Sequence, residues 1–259
     1  MPASTFRSWL RHIPLLVFLL PGMALGAAGE LSDNQRITSE ILGYDLQYRV
    51  YRPAGSRDDD RLPSLYVTDA HKYLQHGNMV SVLDKTIADG LIEPLVVVFV
   101  DSRNPDRLEV DRRNKQFMCN TDYAAFFANE LIPSVSTEQP VSESRDDRAI
   151  LGLSFGGLNS ACFGLMLPDL FSGIAMQSPA SAKHVDVVRD LYEEREALPL
   201  KMFLSVGTMN DNQAAVKQFR RVLKRKGYDL TYRTVREGHN WKNWGPLLDD
   251  VLVTFFAAD

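Results

Sequence analysis

Gly152-Leu153-Ser154-Phe155-Gly156-Gly157-Leu158 follows directly on an apolar run at 149–153 and opens a segment of helical period. A buried strand that turns abruptly into a helix through Gly-x-Ser-x-Gly is the setting of a nucleophile elbow. The tight turn forces Ser154 into a strained backbone conformation, and small flanking residues keep the neighbouring strand and helix from clashing with it. A helix starting at Phe155 aims free N–H groups back at the serine, where a developing oxyanion would sit.

Outward from this turn, apolar runs at 64–68, 95–100, 149–153 and 202–206 suit strands buried on both faces. Segments of helical period lie among them at 123–135, 159–167, 185–196, 214–226 and 247–256. Before them, residues 37–41 and 45–51 alternate apolar and polar on either side of Gly43, which predicts an antiparallel hairpin with one wet face. Strands alternating with helices predict right-handed crossovers and an α/β fold, a mostly parallel central sheet with helices on both faces. In such a sheet, catalytic groups gather at the carboxyl ends of the strands.

The 259 residues, 45% hydrophobic and 24% charged, are expected to form a signal peptide at 1–28 and one domain at 29–259. Arg7 and Arg11 precede the apolar stretch 13–20, and small residues follow at 24–28, the layout of a secretory leader. The stretch is short for a membrane span, and Pro21-Gly22 interrupts it, so cleavage is favoured over a retained anchor. A periplasmic or secreted location is therefore expected. A net charge of −4 leaves no cationic surplus for nucleic acid. Cys119 and Cys162 lack the spacing of a zinc or thioredoxin site. In an exported chain they are free to bond, though buried free thiols are common, and the sequence leans toward the unbonded state.

A serine hydroxyl needs a base. His12 lies in the leader, His184 starts a polar helix, and His71 and His76 precede Ser154 in the chain. His239, just after the strand-like run 230–235, is the best candidate. The chain order of an α/β-hydrolase then asks for an acid between them, at a strand end. Asp211, in Val206-Gly207-Thr208-Met209-Asn210-Asp211, meets that demand and would orient the imidazole. It could instead cap the following helix, and Asp249 and Asp250 also lie near His239 in sequence. A backbone N–H near Ala70, after the strand 64–68, would join that of Phe155 as the second oxyanion donor. Tyr73, Trp241 and Trp244 are candidate pocket aromatics or core. Arg113, in a segment that crosses the carboxyl edge, could offer paired donors to a carboxylate or to phenolate-like oxygens, or be a plain surface arginine.

Three stretches carry a family resemblance: Arg113-Asn114-Lys115-Gln116-Phe117-Met118-Cys119-Asn120-Thr121-Asp122-Tyr123 running into Glu130-Leu131-Ile132-Pro133; the Ser154 motif with Pro168-Asp169-Leu170-Phe171; and Glu237-Gly238-His239-Asn240-Trp241 with Trp244. Over residues 62–256 the chain resembles the esterase D-like family of α/β-hydrolases, and within it the enterochelin esterases. The resemblance implies a carboxylic-ester hydrolase working without metal or organic cofactor on a small-molecule ester. An ester of a hydroxylated aromatic acid, of catecholate siderophore or feruloyl type, is the leading substrate. A simple acyl or acetyl esterase, or a non-catalytic binding protein on the same fold, are the alternatives. The sequence departs from the family at Ala70, where a glycine is usual, and at Asn210, where several relatives carry the acid that Asp211 supplies one residue later.

Overall fold

The computed structural model describes residues 28–258, so the expected leader falls outside the described residues except for its last position. Its strands are β1 (Glu30–Leu31), β2 (Gln35–Ser39), β3 (Tyr44–Arg52), β4 (Ser64–Thr68), β5 (Val96–Asp101), β6 (Arg103–Asn104), β7 (Arg107–Asp111), β8 (Arg148–Leu153), β9 (Gly173–Gln177), β10 (Lys201–Gly207) and β11 (Asp229–Val235). Its helices are α1 (Ala70–Gln75), α2 (Met79–Ala88), α3 (Arg113–Gln116), α4 (Thr121–Phe126), α5 (Ile132–Glu138), α6 (Phe155–Met166), α7 (Ala182–Glu194), α8 (Gln213–Arg225), α9 (Trp241–Trp244) and α10 (Leu248–Phe256), with a π-helical turn (Phe127–Leu131) joining α4 to α5. Among the described residues no helix is long and apolar enough to cross a membrane.

The main sheet runs β1-β3-β5-β4-β8-β9-β10-β11, with β2 also paired to β3. From β5 to β11 every pairing is parallel, and β1, β2 and β3 add an antiparallel edge. Every residue of β4, β5, β8 and β9 is buried, as expected of strands covered on both faces. Successive side chains point to opposite faces, so Tyr66, Val98, Ile150, Met176 and Leu204 enter one core with residues of α4, α6, α7 and α8. Leu65, Val67, Phe99, Leu151 and Phe203 enter the other with residues of α1, α2 and α10.

The fold holds elements beyond those predicted, among them β1, β9 and α2. β9 carries only Ile174-Ala175-Met176 as an apolar run, too short to stand out, yet it is the strand that bridges β8 to β10. Helix α2 turns Met79, Leu83 and Ile87, which recur at helical spacing, toward the core.

The cysteines correct the sequence expectation: Cys119 and Cys162 are joined, with Cα atoms 5.2 Å apart. The turn between α3 and α4 carries Cys119 over the second turn of α6, bringing together residues 43 apart in the chain. The bridge pins the segment that contains Arg113 to the helix that follows Ser154. Thiol titration of the unfolded, unreduced protein is expected to find no free thiol, and Cys119→Ser is expected to lower the unfolding free energy by about 3 to 4 kcal/mol on the loop-entropy model.

Candidate active site

The turn after β8 holds Ser154 at φ 53° and ψ −120°, a conformation that side chains rarely adopt. Its backbone N–H donates to the Gln177 carbonyl (2.9 Å), and its carbonyl accepts from the Ala180 N–H (2.8 Å), so the segment after β9 clamps the turn. A Cβ on Gly152 would lie 2.2 Å from the backbone of Gly156, which leaves room only for glycine. Phe155 then opens α6, and its N–H has no intrahelical partner.

Two strand ends deliver the groups that meet Ser154. His239, beyond β11, places Nε2 2.9 Å from Ser154 Oγ and Nδ1 2.9 Å from Asp211 Oδ1. With the imidazole proton on Nδ1, the ring donates to the carboxylate and accepts from the serine hydroxyl. Asp211 lies beyond β10, after Asn210 at φ 51°. It does not cap α8, whose N-cap is Asn212. Of the other acids, Asp250 is ion-paired to Arg233 and Asp249 accepts from the Asp250 N–H. The Asp211 side chain is 1% exposed and that of His239 34%, so the carboxylate is sealed behind a reachable imidazole.

Burial pushes the Asp211 carboxyl up, but hydrogen bonds from His239, Ser178, Gly207 and Asn212 outweigh it and hold the pKa below the ordinary carboxylate value. Oδ2 accepts from the Gly207 N–H (2.8 Å), the Ser178 hydroxyl (2.7 Å) and Asn243 Nδ2 (3.3 Å). Oδ1 accepts from the Asn212 N–H (2.8 Å) as well as from His239. Neither Ser178 nor Asn243 is visible in the sequence as a site residue: Ser178 follows the short strand β9, and Asn243 reaches Asp211 only through the fold.

Ala70 opens α1 directly after Asp69, which sits at φ 59°. Its N–H, like that of Phe155, lies at a helix start without an intrahelical partner. The Asp69 carboxylate is fully buried and is gripped by Arg113 at two points, Nε to Oδ1 (2.8 Å) and Nη2 to Oδ2 (2.6 Å). The guanidinium also lies over the rings of Phe117 and Phe155. Arg113 thus spends its paired donors on the loop before Ala70, and the idea of a fork free to grip substrate oxygens is corrected. Tyr73 is corrected too: it is fully buried, with its hydroxyl donating to Gln177 Oε1 (3.0 Å). Trp241 is partly exposed and edge-on to Tyr73 and Trp244.

An open cleft of about 450 Å³ fronts Ser154 and His239, walled by Phe155, Ala180, Ser181, Ala182, Asn210 and Asn212. Among the described residues no group of three His, Cys, Asp or Glu is placed to hold a metal ion.

A parallel sheet with a Gly-x-Ser-x-Gly turn after one strand, and an acid and a histidine after two later strands, defines the α/β-hydrolase fold. Residues 39–255 match the family described as "Putative esterase"; the chain belongs to that family and is a carboxylic-ester hydrolase. It is 23% identical over 231 residues to the uncharacterized protein YjcH of Bacillus subtilis, covering 85% of this chain and 95% of that one. It is 26% identical over 153 residues to the iron(III) enterobactin esterase of Yersinia enterocolitica, covering 57% of this chain and 42% of that one, less than half the relative's length. Among solved structures, it superposes on the enterobactin esterase of Shigella flexneri with a TM-score of 0.76 at 21% identity, over 88% of this chain and 58% of that one. A ferulic acid esterase from Anaeromyces mucronatus gives a TM-score of 0.75 at 16% identity, over 90% and 92% of the two chains.

Behind the Ala70 loop, Asp101 is clamped by Arg103 through Nε and Nη2, and His71 Nδ1 lies 3.4 Å from its Oδ1. Burial raises the Asp101 carboxyl, but the contacts with His71 and Arg103 prevail and bring its pKa to about 2. A carboxyl depressed on folding contributes stability that is present above its unfolded pKa, about 4, and is lost as pH falls through the folded value. Asp101→Asn is therefore expected to lose about 2 kcal/mol at pH 7 by denaturant titration. The gap to the parent should hold down to about pH 4 and close as pH falls toward 2.

Proposed function

We propose that the chain is an exported serine esterase in which Ser154 is the nucleophile, His239 the general base and acid, and Asp211 the orienting acid. The observation that carries this reading is the unbroken pair of 2.9 Å contacts from Asp211 through His239 to Ser154. His239 Nε2 takes the hydroxyl proton as Ser154 Oγ attacks the ester carbonyl. The N–H groups of Phe155 and Ala70 receive the oxyanion, which is worth most where the donors are already aligned. The imidazolium, stabilised by the ionised Asp211, gives its proton to the leaving alcohol as the C–O bond breaks. Water, deprotonated by His239, then frees the acid and restores Ser154.

Export is supported by the leader-like pattern at 1–28 and by the Cys119–Cys162 bond, which suits an oxidising compartment. Esters of hydroxylated aromatic acids, of catecholate or feruloyl type, are the proposed substrates, with Phe155 as the aromatic wall of the cleft; Trp241 packs against Tyr73, His76 and Trp244 and does not line it. The named activities of the enterobactin and ferulic acid esterases support this choice. A second reading, a simple acyl esterase, is favoured by the engagement of Arg113 with Asp69, which leaves its paired donors off the substrate.

Ser154→Ala and His239→Ala are each expected to lower ester turnover by several orders of magnitude in folded protein, since the two groups act as a unit. Near-normal turnover by Ser154→Ala would overturn the mechanism. A panel of a catecholate trilactone, a feruloyl ester and a short-chain p-nitrophenyl ester ranks the substrate classes by kcat/KM. On the same panel Arg113→Ala should reduce kcat/KM about tenfold for every ester hydrolysed, a loss of about 1.4 kcal/mol at the oxyanion loop. A loss confined to the hydroxylated aromatic esters would instead assign Arg113 to substrate recognition.

A further inference from the structure

Ser178 sits just past β9 at φ 43° and is fully buried. Its hydroxyl donates to Asp211 Oδ2 (2.7 Å) and accepts from Trp244 Nε1 (2.9 Å) and Asn243 Nδ2 (3.1 Å). A hydroxyl has one proton and two acceptor sites, and an indole N–H can only donate. Neither nitrogen can accept, so the one proton of Ser178 has no course but toward Asp211. The polarity of the chain from Trp244 through Ser178 to Asp211 is thereby fixed, and donor chains of one polarity strengthen each link.

The same cluster reaches the other side of the site. Gln177 Nε2 donates to the Trp244 carbonyl (2.9 Å), and Gln177 Oε1 accepts from Tyr73 in α1, the helix that begins at Ala70. The Trp244 ring stands edge-on to His239 with centroids 5.0 Å apart, so the residue that orders Ser178 also bounds the imidazole. The Gly207 N–H and the Ser178 hydroxyl hold Oδ2, with Asn243 Nδ2 shared among Oδ2, Ser178 and the Gly238 carbonyl, leaving Oδ1 turned to His239 Nδ1 and the Asn212 N–H.

We propose that Ser178, locked by Trp244 and Asn243, is a positioning residue that sets the orientation of the Asp211 carboxylate and, through it, of the His239 imidazole. The proposal rests on the serine-esterase reading above and extends it to a residue that touches no substrate. A merely structural Ser178 would contribute to stability and leave the His239–Asp211 contact unaltered.

The test compares Ser178→Ala and Ser178→Gly with the parent; glycine accepts φ 43° without strain, so it removes the hydroxyl while sparing the backbone. The first readout is the downfield proton resonance of His239 Nδ1–H, identified by its loss in His239→Ala, which needs no turnover. It is expected to shift or broaden in both variants. The second is steady-state kinetics: kcat should fall about 10- to 100-fold with KM within about twofold, on whichever esters the parent hydrolyses. In an Asp211→Ala background, Ser178→Ala should bring no further loss of kcat. An unmoved resonance overturns the proposal whatever the kinetics, and so does an undiminished loss in the Asp211→Ala background. A parent that hydrolyses no ester would sink the serine-esterase reading instead, while the resonance still decides whether Ser178 positions the pair.

Discussion

The backbone of Ser154 is the constraint on which the site depends. At φ 53° it carries a cost of about 1 to 3 kcal/mol that persists only because the surroundings over-determine it. Buried β8 fixes the approach to the turn, and the near contact of Gly152 with Gly156 fixes how sharply α6 departs. The hydrogen bonds to Gln177 and Ala180 tie the N–H and the carbonyl of Ser154 to the end of β9 and the turn beyond it. Relaxing any of these would let the serine fall back toward an ordinary helical start, with Oγ turned away from His239. The strain thus has a geometric return: a hydroxyl standing clear of the sheet with a helix N-terminus behind it.

Sealing a carboxylate beside that turn is a second cost, and the structure offsets it by hydrogen bonding instead of by a counter-charge. Burial disfavours the ionised form of Asp211, and the donors converging on its two oxygens reverse the sign. Asp69, equally buried, is handled the other way, by the paired donors of Arg113. The difference suits what each does. In the proposed mechanism an arginine against Asp211 would compete with the imidazolium for the carboxylate, whereas neutral donors keep the charge and leave Oδ1 directed to His239. At Asp69, where only a loop has to be held, a fixed ion pair serves, its guanidinium over the rings of Phe117 and Phe155.

The α/β architecture was legible because its long strands announce themselves: the runs in β4, β5, β8 and β10 and the helical periods of α6, α7, α8 and α10 are strong patterns, and the Gly43 turn marks the first hairpin. The serine and histidine were legible for a related reason, since a motif and a chain order locate them. What the sequence hid has short or polar signals. β9 is five residues with two small ones, so nothing marks the Ser178 that follows it. Arg113 looked free because its partner Asp69 is 44 residues away and reaches it only through the fold. Tyr73 reads equally as pocket or core, and the fold decides: α1 lies on the carboxyl side of the sheet, but its inner face packs into the core. The disulfide needed the α3–α4 turn to lie over α6, a tertiary fact with no local trace.

Backbone strain in this fold is not scattered. Of the seven non-glycine residues at positive φ among those described, Asp69 follows β4, Ser154 follows β8, Ser178 and Ala180 follow β9, and Asn210 follows β10. Four neighbouring parallel strands therefore end in strained residues on the same edge, and each holds a part of the site: the Ala70 loop, the serine, the support of Asp211, and Asp211 itself. The topology explains the clustering. Parallel strands deliver their carboxyl ends to one side, and connections to helices on both faces must diverge there, so sharp turns and a crevice form at the same place. Strands that are buried on both faces can hold such turns because their own side chains have no freedom to relax. The rigid core and the reactive edge are in this sense one construction, with β9, the strand least visible in the sequence, clamping Ser154 from one side and Asp211 from the other.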